Sequence, residues 1–308
     1  MGILNSIYHW AIRFTGEIVI WFALAAAALI LLEMIFYQCR SRKKPAGKKR
    51  VAVVTGASSG LGRELVRRTD RKEKQIDEIW LVARREERLQ ALADELQHPA
   101  RIFALDLTEK DSAGILAAAL QKEGVEVALL VCGAGQGKIG RCEDLAQAET
   151  DRMIDLNDRA AVEVTEALLP FLGSGSRILE ICSTAAFQPL PNMNTYAASK
   201  AFLYRYSRGL RAELLPRRIA VTAVCPYWMK DTEFIPTARD TEHQTEKSGV
   251  RHFPFSTGAK TVARRALRSS RFGFAVSLPS LFSWIHRFFA KLIPSEVMQV
   301  FWEILRRI

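Results

Sequence analysis

The sequence contains no paired-cysteine motif. Its five cysteines are odd in number, none stands in a CxxC pair, and Cys132, Cys182 and Cys225 each end or adjoin an apolar, strand-like run. A cysteine in such a run behaves as a small hydrophobic residue. This pattern excludes a disulfide framework, predicts no metal site and suits a reducing cytosolic compartment.

The sequence also lacks interleaved basic and aromatic residues, although its 308 residues carry a net charge of +11. Seven of the positive charges fall within eleven residues, from Arg40 to Arg50. The excess charge therefore belongs to one short segment and not to a nucleic-acid-binding face. Anionic lipid headgroups are the partner expected for such a segment beside a membrane.

A run without charged residues precedes this basic segment. Ile18–Leu32 holds no polar residue, and the run continues to Tyr37 after a single Glu33. A helix of about 20 apolar residues is long enough to cross a membrane. A signal peptide is less favoured, because residues 1–17 lack its basic start. A buried helix of a soluble protein is also less favoured, because such a helix would normally keep a polar face and this segment has none. We predict a transmembrane helix over residues 18–37, with the following domain in the cytoplasm by the positive-inside rule.

The rest of the chain alternates apolar runs with helix-like segments. The predicted strands are Val51–Thr55, Ile79–Ala83, Arg101–Leu105, Val127–Cys132, Arg177–Cys182, Ile219–Cys225 and Phe272–Ser277. Continuous apolar strands that alternate with helices indicate a parallel sheet covered on both faces. We predict an α/β, doubly wound Rossmann fold over residues 51–278, joined to the membrane helix by a basic linker over residues 38–50.

The C-terminal segment 279–308 has apolar residues at helical spacing, including Trp284 and Phe288, with Ser283 and His286 on the opposite side. A basic amphipathic helix with Trp and Phe on its apolar face can lie in a membrane interface. Packing of that face against the domain or a partner subunit is an equal alternative. Both interpretations stay open at this point.

The first predicted strand leads into a glycine-rich turn that opens a helix. The turn reads Thr55-Gly56-Ala57-Ser58-Ser59-Gly60-Leu61-Gly62. Glycines in this position allow a tight turn and let a phosphate approach the backbone at a helix N-terminus, where N–H groups favour anions. The turn therefore predicts a nucleotide-phosphate site, although a glycine triplet alone is a weak signal.

A tyrosine and a lysine stand four residues apart in a helical stretch, in Tyr196-Ala-Ala-Ser-Lys200. This spacing places both on one face of a helix. A phenol has an ordinary pKa of about 10, and a nearby positive charge favours its ionised form. We expect Lys200 to move Tyr196 toward the range that is useful for proton transfer.

These motifs, in this order, resemble the short-chain dehydrogenase/reductase family, whose signatures are TGxxxGxG and YxxxK. The resemblance covers roughly residues 50–278. It implies a catalytic set of Ser183, Tyr196, Lys200 and Asn157, and a hydride transfer between a nicotinamide and a carbonyl or alcohol carbon. It also implies cofactor contacts from two groups of residues: the glycine loop, with Gly56, Ser58, Ser59, Gly60, Leu61 and Gly62, and the later positions Asp106, Leu107, Gly133, Ala134, Gly135, Tyr196, Lys200, Pro226 and Thr232.

Two arginines follow the second predicted strand, where relatives that prefer NAD carry an acidic residue. A carboxylate there would repel a 2′-phosphate, whereas a guanidinium binds it through two hydrogen bonds. We therefore expect NADP(H), with Arg84 as the main contact and Arg85 as a secondary one.

The chain departs from the family pattern in two places. Cys132-Gly133-Ala134-Gly135 stands where the family usually has Asn-Asn-Ala-Gly, which puts the tie across the central sheet in doubt. Pro226 is followed by Tyr227 instead of glycine, and Thr232 comes one residue late, which puts its contact with the nicotinamide in doubt.

The function implied is an NADP(H)-dependent oxidoreductase acting on CH–OH groups of a lipophilic substrate, such as a steroid, retinoid, fatty aldehyde or acyl chain. Residues 230–258 lie where the family keeps a substrate lid, with Phe234, Ile235, Phe253 and Phe255 as pocket candidates. Relatives commonly pair through the helices that bear Asn157 and Tyr196, so a homodimer is expected. A membrane-anchored NADPH-binding scaffold that turns nothing over is the alternative.

Overall fold

The computed structural model describes residues 17–21, 24–25, 27–29, 31–32, 35, 47–241 and 255–306. The predicted membrane helix over residues 18–37 lies partly outside these residues, as do most of the basic linker and Phe253. Within the described part of the chain, no helix is long and apolar enough to cross a membrane. The prediction of a transmembrane helix is therefore not supported by the described residues.

A single parallel sheet organises the domain, and its strands run in the order β3-β2-β1-β4-β5-β6-β7. The strands are β1 (Arg50–Thr55), β2 (Glu78–Ala83), β3 (Ala100–Ala104), β4 (Glu126–Cys132), β5 (Arg177–Ile181), β6 (Ala220–Val224) and β7 (Val276–Ser277). The first six confirm the predicted strands to within one residue at each end. The seventh is shorter than predicted, because a helix continues to Arg271 and Gly273 then turns the chain with φ +69°.

Helices cover both faces of this sheet, as the Rossmann prediction requires. They are α1 (Gly60–Lys72), α2 (Glu86–Ala93), α3 (Ser112–Glu123), α4 (Gln147–Ile154), α5 (Ala160–Leu168), α6 (Asn194–Leu214), α7 (Phe234–Arg239), α8 (Ala259–Arg271), α9 (Leu281–Leu292) and α10 (Ser295–Leu305). A π-helical turn, Asp155–Arg159, joins α4 to α5.

Two apolar layers fill the space between the sheet and its helices. Leu65 of α1, Leu89 of α2 and Leu267 of α8 pack on one face. Leu116 of α3 and Leu203 of α6 pack on the other. Burying one leucine side chain stabilises a fold by about 1.5–3 kcal/mol, so these layers fix the positions of the strand ends.

The strand order reverses between β1 and β4, and this position determines where a ligand can bind. From β1 the chain proceeds outward to β2 and β3, then returns to the other side of β1 as β4. The loops after β1 and β4 therefore diverge to opposite faces and leave a crevice at the carboxyl ends of the strands.

Helix α9 leaves a large part of its apolar surface exposed, which is unusual for an amphipathic helix on a folded domain. Ser283 of α9 is fully buried, whereas Leu281 and Trp284 on the same helix are 74% and 61% exposed. Trp302 anchors α10 by donating from Nε1 to the carbonyl of Pro191 at 2.9 Å. Phe282 of α9 packs on Tyr227 of the domain, with ring centres 4.3 Å apart. Apolar side chains of α9 therefore lie on both sides of the helix, and both interpretations of this segment stay predictions.

The glycine-rich turn brings backbone segments closer together than side chains would allow. Gly56 has φ +69°, and a Cβ atom there would lie 2.6 Å from the carbonyl oxygen of Gly133. A Cβ atom on Gly62 would lie 2.1 Å from the carbonyl oxygen of Gly56. Contacts this short do not occur between real atoms, so only glycine fits at either position.

Replacement of Gly62 by alanine should lower the free energy of unfolding by about 1–3 kcal/mol, because the methyl group forces the turn and α1 apart. Gly114→Ala is the matched control, since a Cβ there meets nothing within 4 Å among the described residues. In helix α3 that change should stabilise the protein by about 0.5–1 kcal/mol. Chemical denaturation measures both values, and a Gly62→Ala variant as stable as the wild type would contradict the close approach.

Candidate active site

The loops after β1, β4, β5 and β6 meet helix α6 around one cleft of about 570 Å³. All the predicted site residues that lie next to these loops contribute to its lining, except Asn157. These lining residues are Gly56, Ser58, Ser59, Gly60, Leu61, Gly62, Arg84, Arg85, Asp106, Leu107, Gly133, Ala134, Gly135, Ser183, Tyr196, Lys200, Pro226 and Thr232. Asn157 is fully buried directly behind the cleft.

The glycine-rich turn offers backbone donors to an anion. Helix α1 begins at Gly60, and the first N–H groups of a helix have no partner within the helix. The Ser59 side chain makes no capping hydrogen bond to the described backbone, so it does not use these donors. The positive end of the helix dipole faces the same point, and the turn can therefore hold a nucleotide phosphate.

The loop after β4 is held to the end of β1 by one hydroxyl group. Thr55 Oγ1 accepts hydrogen bonds from the backbone N–H groups of Gly133 and Ala134, at 3.0 and 3.1 Å. It donates to the carbonyl of Val131 at 3.3 Å. This arrangement fixes the loop that lacks the family's two asparagines.

Cys132, which replaces the first of those asparagines, joins a buried polar chain. Its Sγ lies 3.2 Å from Thr165 Oγ1 on α5, and that hydroxyl donates to Glu180 on β5 at 3.0 Å. The tie across the central sheet is thus made by other residues. Burial raises the pKa of Glu180 to about 7, with the hydrogen bond from Thr165 acting in the opposite direction.

The two arginines after β2 have different neighbours. Arg85 donates to Ser58 Oγ from Nε and Nη2, at 3.4 and 3.2 Å. Arg84 lies 3.7 Å from Asp106 Oδ2 and is 57% exposed. Sequence reasoning ranked Arg84 first, whereas the structure places Arg85 against the glycine-rich turn. The spacing of two adjacent arginines carries no signal that separates them.

Three hydrogen bonds hold the Asp106 carboxylate in place. Oδ1 accepts hydrogen bonds from the backbone and hydroxyl of Thr108, at 3.0 and 2.8 Å, and Oδ2 accepts one from Arg152 at 2.7 Å. Burial raises the pKa of Asp106, but these hydrogen bonds outweigh it and lower the pKa to about 2. Asp106 is therefore a fixed negative charge in the lining of the cleft.

Asn157 lies in the π-helical turn and connects the cleft loop to α6. Its Oδ1 accepts from the N–H of Gln136 at 2.9 Å, and its Nδ2 donates to the carbonyl of the same residue at 2.8 Å. Nδ2 also donates to Ser199 Oγ at 2.9 Å, directly before Lys200. Asn157 thus positions the residues around the lysine.

Tyr196 and Lys200 lie on one face of α6, as the spacing predicts, with the lysine Nζ 5.9 Å from the centre of the tyrosine ring. Lys200 Nζ donates to the carbonyl of Ile181 at 2.9 Å. Ser183 follows β5 and accepts from the N–H of Ala185 at 3.1 Å. Three of the four side chains of the predicted catalytic set therefore meet at the base of the cleft.

The pKa of Tyr196 differs from the sequence expectation. Burial raises it to about 12, and a hydrogen bond with Ser183 offsets only part of this effect. Burial also lowers the pKa of Lys200. The pKa of Tyr196 therefore lies above its ordinary value and not below it, because burial of the phenol dominates. At neutral pH Tyr196 is an uncharged phenol, which can donate a proton.

The far side of the cleft is apolar, and much of it was not found from the sequence. Phe234, a predicted pocket residue, lines the cleft, whereas Ile235 and Phe255 do not. The C-terminal helices supply further walls that no catalytic motif signals. These added residues are Phe282, Ile285, His286, Phe289, Met298, Phe301 and Trp302.

Gln188 and His286 are polar residues within that apolar wall. His286 Nε2 lies 2.8 Å from Gln188 Oε1, and burial lowers the pKa of His286 to about 4, so it is neutral at pH 7. Across the described residues, no group of three or more His, Cys, Asp and Glu side chains is placed to hold a metal ion.

Comparison with characterised and solved proteins gives consistent matches. Sulfoacetaldehyde reductase of Chromohalobacter salexigens is 38% identical over 191 residues, which cover 59% of this chain and 72% of that protein. The NADP-dependent 3-hydroxy acid dehydrogenase of Escherichia coli is 33% identical over 187 residues, covering 60% and 74%. A short-chain dehydrogenase from Sphingobium yanoikuyae, solved with NADPH, is 27% identical with a TM-score of 0.65, covering 81% of this chain and 94% of that one.

The sequence profile described as short chain dehydrogenase matches residues 50–243, more than half of the chain. This range covers β1 through α7, whereas α9 and α10, which also line the cleft, follow it. The protein therefore belongs to the short-chain dehydrogenase family.

Proposed function

We propose that this protein is an NADP(H)-dependent oxidoreductase that interconverts a carbonyl and a secondary alcohol on a lipophilic substrate. The observation that carries the proposal is the meeting of Ser183, Tyr196 and Lys200 at the base of the cleft that begins at the glycine-rich turn. A non-catalytic binding protein would not need a buried phenol beside a buried ammonium.

The residues around the cleft fit a nicotinamide dinucleotide. The turn leaves no room for a Cβ atom at Gly56 or Gly62, and α1 presents its N–H groups at the same point. Arg85 and Ser58 together form a polar, cationic corner for a 2′-phosphate. The bound nicotinamide would supply or accept the hydride, while the protein positions and polarises the substrate.

In the reductive direction, Ser183 donates a hydrogen bond that orients the substrate carbonyl. The Oη–H bond of Tyr196 breaks, and its proton passes to the carbonyl oxygen as the carbon is reduced. The phenolate that is left behind is stabilised by the positive charge of Lys200. Burial keeps Tyr196 protonated at neutral pH, so the proton is present for this step. Oxidation of the alcohol uses the same groups in reverse.

The composition of the cleft supports a lipophilic substrate. Its wall beyond Tyr196 consists mainly of apolar and aromatic side chains, of which six are Leu190, Met193, Trp228, Phe234, Phe282 and Trp302. Burial of a flexible apolar molecule against such a wall contributes about 25 cal/mol for each Å² removed from water. Steroids, retinoids, fatty aldehydes and acyl chains are the classes to test.

Replacement of Tyr196 by phenylalanine should lower kcat by about 100-fold or more, because the change removes the proton donor and little else. NADPH oxidation with a panel of lipophilic ketones and aldehydes measures this effect. Tyr206→Phe is the matched control on the same helix, since its hydroxyl has no hydrogen-bond partner among the described residues. Tight NADPH binding without turnover in the wild type would favour the scaffold alternative.

The arginine assignment gives a separate prediction. Arg85→Ala should weaken NADPH binding by about 10- to 100-fold, since hydrogen bonds to charged groups contribute about 1.5–3 kcal/mol, and it should change NADH binding far less. Arg84→Ala should have a smaller effect of the same kind. Titration of cofactor fluorescence measures both, with Arg141→Ala as a control for loss of an exposed arginine. Equal losses for NADPH and NADH would contradict a 2′-phosphate contact.

Membrane attachment is a further part of the proposal, and it depends on the sequence. Residues 18–37 are apolar and precede a basic segment, and the described residues Val19, Trp21 and Leu29 of this stretch are 66%, 70% and 67% exposed. The outward apolar face of α9, with Leu281 and Trp284, offers a second contact with lipid.

The full chain should remain in the membrane pellet after alkaline carbonate extraction, because a spanning helix is not released by breaking ionic contacts. In sealed vesicles oriented with the cytoplasmic side outward, protease should digest the catalytic domain. Recovery of the chain in the carbonate supernatant would contradict the span, and protection of the domain would contradict its predicted side.

A homodimer also stays a prediction. Ile154 of α4 and Phe202 of α6 are 46% and 50% exposed, on the two helices through which pairing is expected. Exposed apolar side chains at these positions support an interface between copies.

A further inference from the structure

Three consecutive residues that follow β6 contact three different parts of the cleft. Thr232 lies against Gly60 of the glycine-rich turn. Phe234, the first residue of α7, packs on Tyr196 with ring centres 5.4 Å apart. Glu233 lies between them and reaches the arginines that follow β2. The same segment therefore borders both the cofactor end and the catalytic end of the cleft.

Glu233 forms ion pairs with two arginines. Its Oε2 accepts a hydrogen bond from Arg85 Nη1 at 3.0 Å, and its Oε1 accepts one from Arg88 Nη1 at 2.6 Å. Arg85 uses its other two nitrogens on Ser58. All three donor nitrogens of the Arg85 guanidinium are thus engaged, and one of them holds a carboxylate.

A carboxylate at this position has opposite effects on the two nicotinamide cofactors. The hydrogen bond from Arg85 lowers the pKa of Glu233, so it is charged at neutral pH. A 2′-phosphate needs the same guanidinium and is repelled by the negative charge. A 2′-hydroxyl carries no charge and can donate a hydrogen bond to the carboxylate, as acidic residues do in sites for NAD.

We propose that Glu233 is a cofactor-specificity determinant, which weakens the binding of NADPH by competing with its 2′-phosphate for Arg85 and so narrows the preference for NADPH over NADH. This inference rests on the proposed function, because it assumes that Arg85 receives the 2′-phosphate. Arg85 favours NADPH by binding its 2′-phosphate, and Glu233 lowers the ratio of NADPH affinity to NADH affinity.

The size of the effect follows from the exposure of the pair. The side chains of Arg85 and Glu233 are 43% and 50% exposed, so solvent screens their interaction. An exposed ion pair changes an equilibrium constant by up to about fivefold. Direct repulsion between carboxylate and phosphate adds to this value, so we expect about a fivefold gain or more in NADPH affinity when the charge is removed.

The test compares the dissociation constants of NADPH and NADH for the wild-type full chain and for Glu233→Gln. Glu233→Gln should bind NADPH about fivefold more tightly, while NADH binding stays the same or weakens. Glu143→Gln is the matched control, because it removes the same charge from an exposed pair with Arg141, which does not line the cleft. That variant should leave both constants unchanged.

Two further measurements make the result specific to Arg85. In an Arg85→Ala background, Glu233→Gln should increase NADPH affinity by a smaller factor than in the wild type, because the shared partner is absent and only the direct repulsion of the phosphate is relieved. The increase in NADPH affinity of Glu233→Gln should be smaller at high salt, because salt screens the interactions of exposed charges. An unchanged ratio of NADPH to NADH affinity in Glu233→Gln, or a loss of NADPH affinity, would overturn the inference.

These outcomes are distinct from failure of the proposed function. If the wild type binds no NADPH, the proposed cofactor is wrong and the inference fails with it. If the wild type binds NADPH and Arg85→Ala weakens it, but Glu233→Gln changes nothing, only the inference about Glu233 is overturned.

Discussion

Close contact between two backbone segments, at the carboxyl ends of β1 and β4, is the constraint on which the rest of the cleft depends. A Cβ atom on Gly56 would lie 2.6 Å from Gly133, and the hydroxyl of Thr55 holds the same loop through two N–H groups. The loop continues to Gln136, whose backbone N–H and carbonyl both form hydrogen bonds with the Asn157 side chain. The glycine-rich turn and helix α6 are therefore positioned by one continuous chain of contacts.

The interior of the sheet shows how a family position can change without loss of the fold. Cys132 stands in place of an asparagine, and the hydrogen bonds across the sheet pass through Thr165 and Glu180 instead. A fully buried carboxylate would be costly as an anion, but burial raises the pKa of Glu180 to about 7. Protonation of this carboxyl group lowers the cost of burying it, because the neutral acid carries no charge.

Much of the fold could be predicted from the sequence, because parallel strands buried on both faces must be continuously apolar. The glycine-rich turn and the spacing of Tyr196 and Lys200 are local patterns, and the residues that they single out lie together in the cleft. The roles of Arg85 and Glu233 depend on contacts between residues 148 positions apart, which no local pattern encodes. The pKa of Tyr196 depends on burial, which spacing along a helix does not reveal.

The exposed apolar surface of α9 affects how this protein behaves in solution. Leu281, Trp284, Phe288 and Leu292 all expose more than half of their surface on one side of that helix. Burying such faces against one another lowers the free energy, because it removes apolar surface from water, so molecules without a lipid or protein partner should associate. Such association leaves the packed layers around the sheet intact, because α9 belongs to neither of them.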